Sequence, residues 1–269
     1  MIRHLVCGLL GLGVVACGAP ESTPAEGPVA EDVRTAIDSG TESFEHAAWD
    51  SLLAMGTRAG LVDYAVFEER RAVLDRYLGR IGEAPLDRLA PLHLKALLIN
   101  AYNAYTIQSI LDHPGVTSIR DIPGVWSDRT HRVGGYSLTL DQIEHNLLRP
   151  FFRDPRIHFA VNCASRSCAP LPGWAFTGDR LDEQLEERTT AFLSDPANVR
   201  LAGDRLEVSK YFEWYGGDFV AEGWEPTATS IPEFIARYAA PEVREAVLGA
   251  SDGLSLHFLD YDWSLNTAP

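Results

Sequence analysis

The chain has 269 residues, a formal charge of -15 at neutral pH and 46% hydrophobic residues. An acid excess of this size argues against partnership with nucleic acid or with anionic membrane surfaces, which attract basic chains. Lys95 and Lys210 are the only lysines, and arginine supplies the other positive charge.

The first residues read as a leader. Arg3 and His4 precede the apolar run LVCGLLGLGVVA, which is too short to span a membrane permanently. Val14-Val15-Ala16-Cys17-Gly18 resembles a lipobox, so residues 1–16 are expected to be a lipoprotein signal peptide and Cys17 the lipidated residue. An ordinary signal peptide cut nearby is the alternative. Gly18, which is not aspartate, favours the outer membrane. The expected location is therefore the bacterial cell envelope, with the chain lipid-anchored, facing the periplasm and touching membrane only through its anchor. Residues 17–40 are rich in Ala, Pro, Glu, Gly, Ser and Thr and are expected to be a flexible tether. Residues 41–269 are expected to form a single globular domain.

Along that domain, residues 43–58 have helical periodicity, LVDYAVF reads as an extended piece or turn, and 68–81 as helix. Residues 91–111, PLHLKALLINAYNAYTIQSIL, are the longest and most apolar helix candidate, with Pro91 at a first helical position. Gly134-Gly135 marks a hairpin. Thr139 and Gln142 form a capping-box pattern, flanked by a Leu138–Ile143 staple, ahead of a helix at 140–149. Residues 157–162 read as a buried strand, 179–194 as helix and NVRLAGDRLEV as a hairpin. SKYFEWYGGDF reads as a short helix broken by glycines, 231–238 and 242–248 as helices, and SLHFLDYDW as a late strand. Helices mixed with short antiparallel strands predict an α+β fold, with helices packed on a small, mostly antiparallel sheet. A papain-like arrangement is one form this could take.

Several residues stand out chemically. Asn100 and Asn103 share one face of an apolar helix, and a buried amide without partners costs about 1–3 kcal/mol. They either hold a loop or orient a reacting group. Glu144 falls inside the apolar stripe of its helix, with His145 at its edge. Cys163 ends the expected strand, flanked by Asn162 and Arg166. A positive charge or histidine nearby would favour its thiolate. His131, His145 and His158 are candidate bases. Strand alternation puts His158 and Cys163 on opposite faces, which favours His145. With Cys7 and Cys17 assigned to the leader, Cys163 and Cys168 could form a disulfide, part of a metal clip with His158, or a reactive site. No metal or cofactor is expected.

The motifs LLINAYNAYTIQSIL, LDQIEHNLLRP, DPRIHFAVNCASRSCAPL, VSKYFEWYGGDF and LDYDWSLN resemble, in this order, the domain of unknown function 547 family over residues 43–266. The resemblance implies a shared site from Asn100, Asn103, Glu144, His145, Cys163, Lys210 and Asp218. It also implies that cysteine recurs at the position of Cys163 while serine can stand at that of Cys168, which disfavours an obligatory disulfide. The leading expectation is a cysteine-dependent hydrolase or acyl-transferase acting on a small molecule or peptide. In it Cys163 is the nucleophile, His145 the base, Glu144 or an asparagine the orienting group or oxyanion donor, and Lys210, Asp218, Asn162 and Arg166 bind substrate. The alternative is a non-catalytic ligand-binding lipoprotein with a Cys163–Cys168 disulfide at its pocket rim. Oligomeric state is not legible.

Overall fold

A helix that is apolar on every side must be surrounded by protein. Helix α5 (Pro91–Leu111) meets that condition and is buried almost continuously from Leu94 to Ile110. The computed structural model describes residues 22–250 and 253–269. Helices α1 (Pro28–Ser39), α3 (Tyr64–Glu69) and α4 (Arg71–Gly82) pack against α5, and α2 (Ala47–Gly56) packs on α3 and α4. The strands form three separate small sheets rather than one platform. β1 (Thr57–Arg58) pairs with β2 (Leu61–Val62), and β3 (His131–Val133) with β4 (Tyr136–Leu138), both antiparallel. In the third sheet β6 (Arg205–Val208) is antiparallel to β5 (Val199–Ala202) and parallel to β7 (Ser255–Phe258). The fold is α+β. Helices α7 (Leu181–Leu193), α8 (Tyr211–Trp214), α9 (Ile231–Tyr238) and α10 (Pro241–Gly249) complete the second half, where Phe192, Phe212, Phe219 and Phe234 build a second core. Among the described residues no helix is long and apolar enough to cross a membrane.

The expected signal at 1–16 and the lipidated Cys17 lie outside the described residues. The expected tether is corrected from Pro28 onward. Val29, Ala30, Val33 and Ala36 form a buried helical stripe in α1 that joins the main core, so the ordered domain begins well before residue 41. Upstream of α1, Ala25 N–H donates to Asn146 O at 2.9 Å and Asn146 Nδ2 to Thr23 O at 2.6 Å.

That Asn146 carbonyl is free for a reason. Pro150 has no N–H to offer it, so the helix widens to i,i+5 bonding over Gln142–Leu148 before α6 (Arg149–Phe152). The capping box ahead of it forms as read: Thr139 N–H donates to Gln142 Oε1 at 2.9 Å, and Gln142 N–H to Thr139 Oγ1 at 3.1 Å. The expected strand at 157–162 is absent. Pro155 and the Asp154 side chain, which accepts Arg156 N–H at 3.0 Å, start a 3₁₀ turn, Pro155–Phe159.

A chain beginning at residue 41 should unfold at a lower urea concentration than one beginning at residue 22. Burial of Val33 alone is worth about 1.5–3 kcal/mol. Equal midpoints would show that α1 adds nothing to the fold.

Candidate active site

The segment after the 3₁₀ turn is buried but irregular, so side chains must satisfy its backbone. Asn103 accepts Asn162 N–H at 2.7 Å and donates to Ala160 O at 2.9 Å. Asn162 in turn accepts Ala164 N–H at 2.9 Å and donates to Ala169 O at 2.7 Å. Ala164 is held at φ 60°, a left-handed position immediately after Cys163. The C-terminal segment closes the other side: Arg166 N–H donates to Ser264 O at 2.9 Å, and Asn266 N–H to Ala164 O at 3.1 Å. This brings Tyr261 and Trp263 beside the thiols, in a cavity of about 390 Å³ that Cys163, Cys168, His145, His158, Glu144 and Asp141 also line.

Cys163 and Cys168 are both free, with their sulfurs 3.0 Å apart. A disulfide needs about 2.05 Å. The two thiols are unlike. Burial first, and then its bond to Cys163, pushes the Cys168 thiol well above its ordinary value, so it keeps its proton. Its sulfur accepts from the Tyr211 hydroxyl at 3.1 Å and from Cys163 N–H at 2.8 Å. Cys163 is half-buried, and Ser165 Oγ and Tyr261 OH each lie 3.3 Å from its sulfur. Once Cys163 is ionised, the Cys168 S–H, 3.0 Å away between sulfurs, donates to the thiolate. With the two hydroxyls it outweighs burial and brings the Cys163 thiol down to about 7. Among the described residues, no histidine is a hydrogen-bond partner of Cys163. The direct His145 pairing expected for a papain-like dyad is therefore corrected.

The two cavity histidines are held in opposite senses. Arg149 donates to His145 Nδ1 at 3.1 Å, which requires that nitrogen to carry a lone pair. Burial also lowers the His145 pKa. The imidazole is then neutral, with its proton on Nε2. His158 Nε2 lies 2.8 Å from Asp218 Oδ2. Burial alone would raise the Asp218 carboxyl, but hydrogen bonds from His158 and Arg149 hold it below the usual range. The carboxylate therefore accepts the Nε2 proton. Its two oxygens also take Arg149 in a fork, at 2.7 and 2.9 Å. His158 Nδ1 is buried with no hydrogen-bond partner and lies 3.9 Å from Glu144 Oε1. Tyr215 stacks on the same ring at 4.0 Å.

Other expected site residues move. Asn100 and Asn103 hold loop backbone rather than reach into the cavity: Asn100 donates to Phe176 O at 2.7 Å and accepts Phe176 N–H at 3.2 Å. Asn162 spends its amide within its own loop and on Asn266 Nδ2, which donates to it at 3.2 Å. Arg166 is exposed and donates to Thr267 O at 3.3 Å. Lys210 pairs with Glu213 outside the cavity wall. Asp218 is present, but behind His158. His131 stacks on Tyr105 at 4.4 Å. Sequence reasoning missed Ser165, Tyr211, Tyr215, Tyr261 and Trp263. Tyr261 and Trp263 stand in LDYDWSLN, a motif that carries the family resemblance and reads as a strand without marking a site residue. Among the described residues no group of three or more His, Cys, Asp or Glu is arranged to hold a metal ion.

Alkylation by iodoacetamide should label Cys163 with a rate that rises through about pH 7, since the thiolate forms above the pKa, while Cys168 stays unlabelled. Tyr261→Phe and Ser165→Ala should move that midpoint upward. A Cys163 midpoint near 9 would contradict the assigned network.

Residues 86–193 match the family described as "Protein of unknown function, DUF547". The match takes in α5, the Glu144–His145 segment, His158 and both cysteines, and leaves Tyr211, Asp218, Tyr261 and Trp263 beyond it. No curated protein and no solved structure matches the chain. Across residues 86–193 the chain carries a domain of the DUF547 family.

Proposed function

We propose that the chain is a cysteine-dependent acyl-transfer enzyme, a hydrolase or acyl-transferase acting on a peptide, amide or thioester. Cys163 is the nucleophile and His158, rather than His145, is the general base and acid. The observation that carries this reading is one cavity holding both a thiol lowered to about 7 and an aspartate-oriented imidazole whose other nitrogen is unpartnered. The thiolate sulfur adds to the acyl carbon. The carbonyl π pair moves to oxygen, where His145 Nε2–H can donate to it. Collapse breaks the bond to the leaving group, which departs with the bonding pair and takes a proton from solvent, and leaves a Cys163 thioester. Water or an acceptor amine then gives a proton to His158 Nδ1, attacks the thioester and frees the thiol. No cofactor enters the scheme. We place the enzyme in the bacterial envelope, tethered through Cys17 and facing the periplasm.

The 3.0 Å sulfur contact favours one other reading, thiol–disulfide exchange. Cys163 would open a substrate disulfide, and Cys168 would then close onto Cys163 and release the second substrate thiol.

On short acyl thioesters, Cys163→Ala should abolish turnover. His158→Gln should lower kcat/KM by about 10²–10⁴-fold at unchanged melting temperature. Lys210→Ala should stay near the parent value. Turnover that persists in Cys163→Ala would sink the acyl-transfer reading. Loss of disulfide reduction with intact thioester turnover in Cys168→Ser would establish exchange as a separate activity.

A further inference from the structure

Four aromatic rings of the cavity lining cluster together. Trp126 and Trp263 lie with ring centroids 6.0 Å apart, Trp214 and Trp263 5.7 Å, and Tyr261 sits 4.5 Å from Trp263. All four line the cavity, and no lysine or arginine does. Glu144 also lines it. Its residue is only 4% exposed, and among the described residues its carboxylate accepts no hydrogen bond. His158 Nδ1 at 3.9 Å is beyond bonding range. Its oxygens keep exposure to the cavity, where a ligand with N–H donors can complete their bonding. The other two buried acids are already answered, since Asp218 holds Arg149 in a fork and Asp154 holds Lys95 and Arg156. Asp141 adds a second carboxylate to the same lining.

A cation fits this arrangement on two independent grounds. Indole faces attract positive charge through their quadrupole. The carboxylate has open acceptor positions, which a primary ammonium fills with N–H donors and a quaternary ammonium does not. We infer that the cavity binds a primary ammonium group on its substrate, between the Glu144 carboxylate and the Trp126, Trp214 and Trp263 rings. This deepens the acyl-transfer reading and rests on it for the word substrate: the acyl compound would carry a free amine, as a peptide N-terminus or a lysine-like side chain does. An anionic acyl group would meet two carboxylates and no lysine or arginine in the lining itself, where Arg120 and Arg149 lie over the Trp263 and Tyr215 rings at 5.2 and 5.3 Å without lining the cavity.

Binding can be read without turnover in the full chain carrying Cys163→Ala. Tryptophan fluorescence would follow titrations with pentylammonium, pentanol, pentanoate and pentyltrimethylammonium. Pentylammonium should bind about tenfold or more tighter than pentanol, as a charge-assisted hydrogen bond implies, and pentanoate weakest. Adding Glu144→Gln should erase the preference, and Glu144→Asp should keep part of it, which guards against a Gln variant that fails to fold. Pentanol or pentanoate binding as tightly as pentylammonium would overturn the inference, as would a preference that survives in a folded Glu144→Gln protein. Pentyltrimethylammonium binding as tightly as the primary amine would overturn the hydrogen-bonding part and leave aromatic recognition alone. Because Cys163 is absent, these outcomes stand apart from success or failure of the acyl-transfer reading.

Discussion

The cysteine loop is buried, yet it belongs to no sheet and no helix, so the amide of Asn103 is the contact on which the site depends. Backbone polar groups out of water need partners, and an irregular segment cannot supply its own. Asn103 supplies two bonds at once, to Ala160 O and Asn162 N–H, and sets the chain direction just before Cys163. Asn100 does the same at Phe176, where the loop leaves. Both sit on α5, which is too deeply packed to shift. Lys95, from the same helix, holds Asp154 at 2.5 Å and so anchors the 3₁₀ turn that precedes the loop. Removing either amide would strand buried backbone groups at about 1–3 kcal/mol each. These asparagines are therefore positioning residues.

The same logic explains what was legible. Signals that act within a few residues read correctly: Pro91 and the apolar run for α5, Gly134-Gly135 for β3–β4, Thr139 with Gln142 for the cap. The strand expected at 157–162 shows the limit. Its apolar residues look like a core strand, but the Asp154–Pro155 start curls them into a turn and satisfies their backbone locally. That error also removed the alternation argument against His158. The tether at 17–40 failed for the opposite reason: composition outweighed the stripe Val29, Ala30, Val33 and Ala36, which fits one helical face. Cys163, Glu144 and His145 were visible because polar groups in apolar patterns are conspicuous. Tyr261 and Trp263 were not, because they reach the thiols only through contacts nearly a hundred residues apart in sequence, such as Ser165 with Leu265.

The wide helical turn at Gln142–Leu148 links two of these features. Pro150 forces it by removing a donor, and Ala25 occupies the carbonyl this frees. One proline thus ties the N-terminal strap to the helix that presents Glu144 and His145. A turn closed by i,i+5 bonds also rotates successive side chains by less than an α-helix does. That is how Glu144 and His145, adjacent in sequence, can both line one cavity.

Arg149 then fixes the chemistry of the whole wall. It can only donate, so His145 must accept at Nδ1 and present its proton elsewhere. Its fork onto Asp218 keeps that carboxylate ionised, and an ionised Asp218 draws the Nε2 proton of His158 and leaves Nδ1 to face the cavity chemistry. A single guanidinium therefore prepares one imidazole to give a proton and the other to take one. Neither ring needs to touch the thiol for this, because Cys163 draws its stabilisation from Cys168, Ser165 and Tyr261 on the other side. In the proposed acyl transfer the division would differ from a thiol–imidazole ion pair in one respect: the nucleophile would be ready before the base acts, and His158 would keep its free nitrogen for the proton that the attacking water or amine brings.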